Sequence, residues 1–314
     1  MSKALVIIKS KGIGDLCILI SNIHAISNKI SKPVTVLAQK NTRAQAILKN
    51  DPHVSQVIEL DDKEIKSFFA IIKKIKLEKF DESYTFSDSI RFYLITKLSG
   101  IKSNFQYNFF SKKGKNFYRT AKEFTENILS TTINSQSKIY FNLEDRENIK
   151  KKFNISSETK NIVCGISASG PTKRWDIHNY IELFKKISSK FKCKFFLAGG
   201  IDDKNLIDKI MNSEIGKNCI SFSSMSIGET IPFISACQYY IGNDTGWGHI
   251  SSGLGLKSLF LFMDSPPSAY GIYSKNISII VPDGETIESC GHDTRGKNKI
   301  PVDKVLTKSL ELIN

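Results

Sequence analysis

Three short segments of this 314-residue chain place glycines next to hydroxyl and charged side chains, directly after runs of apolar residues. They run from Lys9 to Asp15, from Gly165 to Trp175 and from Gly242 to His249. Glycines at a strand-to-helix turn allow backbone N–H groups to face a ligand, and a helix N-terminus attracts anions. Each segment is therefore a candidate contact for an anionic small molecule.

The first segment offers one carboxylate, that of Asp15, behind Gly12 and Gly14. A carboxylate in the first turn of a helix stabilises the helix N-terminus. The same group, when directed at a bound hydroxyl group, acts as a general base. The segment is not a dinucleotide-binding fingerprint, because Cys17 stands where that motif requires its third glycine.

The second segment is rich in serine and ends in cations, with Ser167 and Ser169 ahead of Lys173 and Arg174. It is not a Walker loop, because Gly170 is not followed by lysine. It is not a nucleophile elbow either, because a serine stands where that motif ends in glycine. Hydroxyl groups, backbone amides and a lysine suit a diphosphate, whose charge Lys173 neutralises.

The third segment contains Asp244, Thr245 and Gly246 and, three residues later, His249. A helix that begins near Thr245 directs the amides of Thr245 and Gly246 outward, which forms an anion site. Asp244 either orients a lysine or caps the helix. For His249, a ligand contact and a packed position in the core both remain open.

The formal net charge is +14, and it is uneven along the chain. Residues 1–150 hold 25 basic against 15 acidic residues, a surplus of 10, whereas residues 151–314 hold 20 against 16, a surplus of 4. Residues 89–122 contain eight basic residues, eight aromatic residues and no acid. This stretch suits a nucleic acid, an anionic glycolipid at a membrane surface, or a solvated lysine-rich face over an aromatic core.

Cysteines and histidines show no spacing typical of a metal site. The six cysteines form no C-x-x-C pair and mostly lie in apolar runs, so we expect free thiols in a reducing compartment. No apolar run approaches the ~20 residues of a membrane helix, and the N-terminal run lacks a signal-peptide cleavage site. We therefore expect a cytoplasmic protein with no metal and no cofactor.

Strand and helix patterns alternate along the chain, which predicts an α/β fold with parallel sheets and helices on both faces. The alternation stops in the polar stretch 154–161 and then begins again. The sequence therefore predicts two domains, residues 1–155 and residues 156–314. The last predicted helix, 301–313, is placed either in the second domain or back on the first.

The predicted strands are 5–8, 34–38, 57–59, 84–86, 162–166, 194–198, 219–221, 239–241, 258–262 and 277–281. The predicted helices are 15–30, 42–49, 63–76, 89–98, 178–190, 203–212, 227–237, 246–254 and 301–313. Runs of β-branched residues indicate the strands, and apolar residues at helical spacing indicate the helices.

Taken together and in this order, the three segments resemble glycosyltransferase family 9, the ADP-heptose:lipopolysaccharide heptosyltransferases. In that family, the first strand is followed by a basic residue, a serine and then Gly-Asp, which Lys9–Asp15 provides. Its second domain begins with a strand, a loop of small residues and a Lys-x-Trp triplet, here Lys173–Trp175. Its strongest signature, Asp-Thr-Gly-x-x-His before a helix of small residues, is carried by Asp244–His249.

The resemblance implies two Rossmann-like domains facing across a cleft, the GT-B type of fold. It implies an inverting glycosyltransferase that moves heptose from a nucleotide-diphosphate donor, ADP-heptose, to a lipopolysaccharide-type acceptor. The first domain then binds the anionic glycolipid acceptor and the second binds the donor, which agrees with the larger positive charge of residues 1–150. Contact with the inner face of the cytoplasmic membrane is left open, and no nucleic acid is expected.

By the same resemblance, we expect catalytic roles for Asp15, as the base, and for Lys173, which stabilises the departing diphosphate. The expected donor contacts are Ser167, Ser169, Lys173, Asp244, Thr245, Gly246 and His249. The expected acceptor contacts are Lys11, Gly12, Gly14, Lys112 and Lys113. A catalytic metal is not expected, because the sequence has no Asp-x-Asp pair.

Two features depart from the family pattern. A Gly-Pro-Thr-like turn is replaced by the turn from Met263 to Pro267, and a cysteine cluster near the C-terminus is reduced to Cys290. One alternative function is a GT-B enzyme with a different nucleotide-sugar donor or acceptor. Another is a non-catalytic basic module that binds nucleic acid, for which strongly salt-dependent binding is expected.

Overall fold

The computed structural model describes residues 3–108, 116–292 and 299–314. The chain divides into two compact units, Met1–Tyr140 (unit 1) and Phe141–Asn314 (unit 2). Each unit is built on its own parallel sheet, which confirms the predicted α/β class with two parallel sheets. None of the helices in the described ranges combines the length and the hydropathy of a membrane-spanning segment.

Within the described part of unit 1, five parallel strands form a sheet in the order β3-β2-β1-β4-β5. The strands are β1 (Ala4–Ile8), β2 (Val34–Gln39), β3 (Val54–Leu60), β4 (Glu82–Phe86) and β5 (Ser103–Gln106). The helices are α1 (Ile13–Ile30), α2 (Ala44–Ile47), α3 (Phe68–Glu78), α4 (Ile90–Leu98) and α5 (Phe117–Leu129). The central strand β1 is buried along its whole length, as its purely apolar sequence requires.

In the described ranges of unit 2, six parallel strands form a sheet in the order β11-β10-β9-β6-β7-β8. The strands are β6 (Lys160–Gly165), β7 (Cys193–Ala198), β8 (Cys219–Ser221), β9 (Tyr239–Asn243), β10 (Lys257–Leu261) and β11 (Ile277–Ile280). The helices are α6 (Leu143–Lys152), α7 (Ile177–Ser188), α8 (Lys204–Met211), α9 (Ile227–Ser235), α10 (Gly246–Gly253), α11 (Pro267–Tyr270) and α12 (Val302–Ile313).

The first and last helices of unit 2 complete its core from opposite ends of the sequence. Helix α6 packs on α9, where the ring centroids of Phe153 and Phe233 lie 4.7 Å apart. Helix α12 packs on α7 and the sheet through the buried residues Val305 and Ile313. The last helix therefore lies in unit 2, and the polar stretch 154–161 connects α6 to β6 inside that unit.

Two glycines face each other where β6 and β9 pair, Gly165 and Gly242. A Cβ atom on Gly165 would lie 1.9 Å from the hydroxyl oxygen of Tyr240, and one on Gly242 would lie 2.4 Å from the backbone nitrogen of Gly165. The space at Gly165 admits the Tyr240 hydroxyl group, which donates a hydrogen bond to the carbonyl oxygen of Asn243 at 2.6 Å. The two glycines thus allow the carboxyl ends of β6 and β9 to pack tightly.

The substitution Gly242→Ala tests this packing. We expect it to lower the free energy of unfolding by about 1–3 kcal/mol, because the new methyl group meets backbone that cannot move without breaking the sheet. Urea-induced unfolding followed by circular dichroism measures the change. Gly170→Ala is the matched control, since its Cβ would meet no atom within 4 Å. Equal stability of the two variants would show that the close contact is not a constraint.

Candidate functional site

Both sheets have a point at which the order of the strands reverses. In unit 1, strands β2 and β3 lie on one side of β1, and β4 lies on the other side. In unit 2, β7 and β8 lie on one side of β6, and β9 lies on the other side. At such a point, the loops that follow the two adjacent strands run in opposite directions and leave a crevice at the carboxyl edge of the sheet. Open α/β sheets bind ligands in this crevice. The three segments singled out in the sequence follow β1, β6 and β9, so each lies at a reversal point.

In unit 1, Asp15 lies half-buried in the first turn of α1. Its Oδ2 atom accepts a hydrogen bond from the backbone N–H of Gly12 at 3.3 Å. The side-chain amide of Gln39 donates to the carbonyl oxygen of Lys9, which ties the same loop to β2. The carboxylate is therefore fixed over the loop at the carboxyl end of β1, where Lys11, Gly12 and Gly14 also lie.

The basic and aromatic stretch 89–122 contributes part of its aromatic groups to the core of unit 1. The rings of Tyr84 and Phe105 stack with centroids 5.0 Å apart, and Phe86 and Tyr107 form an edge-to-face pair at 6.1 Å. Phe105 and Tyr107 are half-buried and pack with one side against the aromatic residues of strand β4.

A polar pocket of 400 Å³ lies beside this aromatic group, lined by residues of β5 and α5. The side chains of Asn104, Gln106 and Thr120 contribute to its wall. Amide and hydroxyl groups of this kind bind other hydroxyl-bearing molecules through hydrogen bonds. The two expected acceptor contacts Lys112 and Lys113 lie outside the described residues.

In unit 2, one side-chain amide joins the loops at the reversal point. Asn243 is fully buried at the end of β9. Its Nδ2 donates to the carbonyl oxygens of Ile166 and Ser167 at 3.0 and 3.3 Å, and its Oδ1 accepts from the backbone N–H of Trp175 at 2.9 Å. The amide thus uses both donors and its acceptor. Asn243 therefore holds both the start and the end of the loop that carries Ser167, Ser169 and Lys173.

Of the two cations at the end of this loop, one is paired within the protein. Arg174 forms an ion pair with Asp203 at 3.2 Å, and Asp203 also accepts from the backbone N–H of Gly200 at 3.1 Å. For Lys173, the described part of the chain offers the ammonium group no ion pair, and the side chain is half-buried. Lys173 is therefore the cation of this loop that is available to an anionic ligand.

The loop after β10, which departs from the family pattern, anchors both of its neighbours. The buried carboxylate of Asp264 accepts a hydrogen bond from the hydroxyl group of Thr172 at 2.7 Å. The hydroxyl group of Ser265 donates to Oδ2 of Asp244 at 2.7 Å. The turn from Met263 to Pro267 thus holds Thr172, which precedes Lys173, and Asp244, which precedes Thr245.

His249 is buried in α10 and engages two neighbours. Its Nε2 lies 3.1 Å from Oδ1 of Asp244, and its Nδ1 lies 2.9 Å from the hydroxyl oxygen of Tyr273. Because an ionised carboxylate only accepts, Nε2 carries the proton and Nδ1 accepts from Tyr273. Both ring nitrogens are therefore used inside the protein. The sequence left open whether His249 contacts a ligand or packs in the core. In the structure its ring is packed in the core, where it orients Asp244.

Helix α10 begins at Gly246, directly after Thr245 in an extended conformation. The first N–H groups of a helix have no acceptor in that helix and carry partial positive charge. Ser167 and Ser169 lie on the loop after the adjacent strand β6, the first half-buried and the second exposed. Hydroxyl groups, helix N–H groups and the Lys173 cation thus come from loops at one edge of the sheet, as a diphosphate site requires.

No role was predicted from the sequence for four residues of this site, Asn243, Thr172, Asp264 and Ser265. For Asn243 a signal existed, because a polar residue at the end of an otherwise apolar strand is expected to have buried partners. The hydrogen bonds of Thr172 and Asp264 join residues 92 positions apart in the chain and depend on the folded sheet.

Two parallel α/β units, each with polar loops at its reversal point, form the GT-B type of fold, which is built from two Rossmann-like domains. The sequence model of glycosyltransferase family 9 (heptosyltransferase) matches residues 119–299, more than half of the chain. The chain belongs to this family and is a glycosyltransferase.

Individual relatives extend the similarity over nearly the whole chain. Lipopolysaccharide heptosyltransferase 1 of Campylobacter coli is 20% identical over 313 residues, with 91% of each chain covered. The structure of E. coli ADP-heptose LPS heptosyltransferase II superposes with a TM-score of 0.77 at 19% identity, covering 99% of this chain and 98% of that chain. E. coli heptosyltransferase WaaC with ADP-2-deoxy-2-fluoro heptose superposes with a TM-score of 0.71 at 13% identity, covering 98% and 99%. These structures share the fold of this protein.

The substitution Asn243→Asp tests the buried amide. It keeps the acceptor for Trp175 but removes both donors and places a carboxylate against two carbonyl oxygens. We expect the free energy of unfolding to fall by about 2–5 kcal/mol, because a buried charge loses its hydration without gaining a partner. Thermal unfolding measures the loss, with Asn205→Asp on the exposed face of α8 as the matched control. A loss no larger than in the control would contradict the role of Asn243.

Proposed function

We propose that this glycosyltransferase is an inverting heptosyltransferase that moves heptose from ADP-heptose to a lipopolysaccharide-type acceptor. The observation that carries the proposal is the arrangement after β6, β9 and β10, where side-chain hydrogen bonds join the loop that carries Lys173, the start of α10 and the turn after β10. The names of the relatives support the choice of substrates. The Campylobacter coli relative is a lipopolysaccharide heptosyltransferase, and the WaaC structure contains an ADP-heptose analogue.

Unit 2 binds the donor in this proposal. The Lys173 ammonium group and the N–H groups of Thr245 and Gly246 contact the diphosphate, and Ser167 and Ser169 supply hydroxyl groups. Asp244 lies beside them and is held from both sides, since its two carboxylate oxygens accept from His249 and Ser265. The contribution of His249 is thus indirect: it sets the orientation of Asp244.

Unit 1 binds the acceptor in this proposal. The charge surplus of residues 1–150, 25 basic against 15 acidic residues, favours an anionic glycolipid over a neutral sugar. Lys11, Gly12 and Gly14 contact the acceptor next to Asp15, and the basic residues Lys112 and Lys113 add electrostatic attraction. The same charge attracts the anionic surface of a membrane, so we place the enzyme in the cytoplasm at the inner face of the cytoplasmic membrane.

The transfer proceeds as a single displacement. The acceptor hydroxyl oxygen attacks the anomeric carbon of the heptose from the face opposite to the diphosphate, while Asp15 accepts the hydroxyl proton. The bond from the anomeric carbon to the diphosphate oxygen breaks, and ADP leaves with the electron pair. Lys173 and the N–H groups at the start of α10 stabilise the charge that develops on ADP, with no metal ion required.

The choice of donor is tested by isothermal titration of ADP, UDP, GDP and CMP into the purified protein in the presence of EDTA. We expect ADP alone to bind, and Lys173→Ala to weaken its binding at least tenfold, since a charge-assisted hydrogen bond to the diphosphate is lost. Lys209→Ala, an exposed lysine on α8, is the matched control and leaves ADP binding unchanged. Selective binding of UDP or GDP would instead overturn the donor, and no binding of any nucleotide would overturn the proposal.

The role of Asp15 is tested by Asp15→Asn in a transfer assay. We expect kcat to fall by about 10²–10⁴-fold, because the amide does not accept a proton at neutral pH. The affinity for ADP should stay unchanged, since Asp15 serves the acceptor. The amide oxygen can still accept from Gly12, which preserves the start of α1. Asp62→Asn, at an exposed position of unit 1, is the control. Full turnover by Asp15→Asn would exclude Asp15 as the base.

A further inference from the structure

Three side chains with metal-binding atoms meet in unit 1, away from the loop that carries Asp15. These are His24, Asp51 and His53, and one ligand atom from each lies within 4.8 Å of the others. His24 lies in the second half of α1, and the other two lie just before β3 begins. The cluster is therefore near the amino edge of the sheet, opposite to the edge at which Asp15 lies. The proposed transfer does not use these side chains.

The carboxylate of Asp51 is the buried centre of the cluster, with only 1% of its side chain exposed. Its Oδ2 lies 2.7 Å from Nε2 of His24, and its Oδ1 accepts from the backbone N–H of His53 at 2.9 Å. The two imidazole rings face each other with centroids 4.3 Å apart. A carboxylate and two imidazoles thus converge on one small volume, with the carboxylate fixed by a backbone group.

The hydrogen bonds of His53 determine which of its ring nitrogens is free to bind a metal. The hydroxyl group of Ser27 donates its proton to the carbonyl oxygen of Lys32 at 2.8 Å, and the same oxygen lies 3.3 Å from Nδ1 of His53. Since the Ser27 hydroxyl proton is already donated to Lys32, the Ser27 oxygen can only accept a hydrogen bond from His53. Nδ1 of His53 therefore carries the ring proton. The lone pair of His53 is therefore on Nε2. Metal-binding histidines show this same arrangement, in which the other ring nitrogen donates to a fixed oxygen.

The ring of Tyr140 borders the cluster on one side, with its centroid 5.9 Å from that of His24 and 6.2 Å from that of His53. Lys138 lies over the ring of Tyr140, 4.5 Å from its centroid, and Tyr140 packs edge-on against His24.

We propose that His24, Asp51 and His53 bind a divalent first-row transition metal, for which Zn²⁺ is the best match. Two imidazoles, one carboxylate and one water give the four ligands that zinc prefers. The metal takes the place of the proton between Nε2 of His24 and Oδ2 of Asp51, and the neutral His24 ring then carries its one proton on Nδ1. The 2.7 Å separation of those two atoms then opens to about 3.3 Å, the spacing of tetrahedral ligands at zinc distances. The bound metal links α1 to the start of β3, so its role is structural.

The alternative is that the same three side chains form a hydrogen-bonded link without a metal. Titration of Co²⁺ and then Zn²⁺ into the full-length protein, after EDTA treatment and desalting, separates the two. We expect one equivalent of Co²⁺ to give the visible absorption of a tetrahedral nitrogen and oxygen site, and Zn²⁺ to displace it. Zinc should also raise the Tm of the protein, because a ligand that binds the folded state stabilises it.

Two variants locate the site. His53→Gln changes a half-buried ligand, and Asp51→Asn keeps an acceptor for the backbone N–H of His53. Each is expected to weaken Co²⁺ binding at least tenfold and to abolish the zinc-dependent rise in Tm. His178→Asn, an exposed histidine in unit 2, is the matched control and should bind as the unchanged protein does.

Three results would overturn the proposal. They are the absence of Co²⁺ and Zn²⁺ binding, equal binding by the His53→Gln protein, and an intense near-ultraviolet thiolate band, which would assign the metal to cysteine. The test does not depend on the proposed heptosyl transfer, because its readouts are metal binding and thermal stability. Circular dichroism of each variant confirms folding before titration.

Discussion

The side-chain amide of Asn243 is the interaction on which the candidate donor site depends. Parallel strands leave their backbone groups unpaired where they end, and here the loops after β6 and β9 must diverge at that point. Asn243 satisfies two carbonyl oxygens and one N–H group on the first of these loops, in a position closed to water. Removing partners from buried polar groups costs about 1–3 kcal/mol each, so the amide fixes the loop to the sheet.

Other contacts extend this fixed point to the rest of unit 2. Gly165 and Gly242 bring the two strand ends together, and the Tyr240 hydroxyl group fills the space that they leave. The indole N–H of Trp175 donates to the carbonyl oxygen of Ile300 at 2.8 Å, just before α12. The last helix of the chain is thus connected to the loop that carries Lys173. The backbone on both sides of Lys173 is thus held in place, and a preorganised position is the condition for electrostatic stabilisation of a leaving group.

Much of the fold followed from the sequence, because strands inside parallel sheets are often near-continuous apolar runs rich in β-branched residues, as β1 is. All ten predicted strands coincide with observed ones. Strand β5, a short and polar edge strand, was not predicted. Helices α5, α6 and α11 were not predicted either. Helix α6 has no buried residue in its ten positions and therefore no apolar periodicity. Helix α6 forms because Asn142 caps its N-terminus, with acids in its first turn and lysines in its last.

The order of the strands gave no signal in the sequence. The cluster of His24, Asp51 and His53 could not be predicted from the sequence either, since tertiary packing alone brings these residues together.

The cysteines have a practical consequence. All six are free and buried. Burial raises the pKa of Cys193 to about 11 and that of Cys219 to about 12. Alkylating reagents react with the thiolate, which these residues form only rarely at neutral pH and out of reach of solvent. A cysteine placed at an exposed position, as in Lys209→Cys, would therefore take up a fluorophore ahead of the native six. The natural sequence already serves as a cysteine-silent background for attaching a single label.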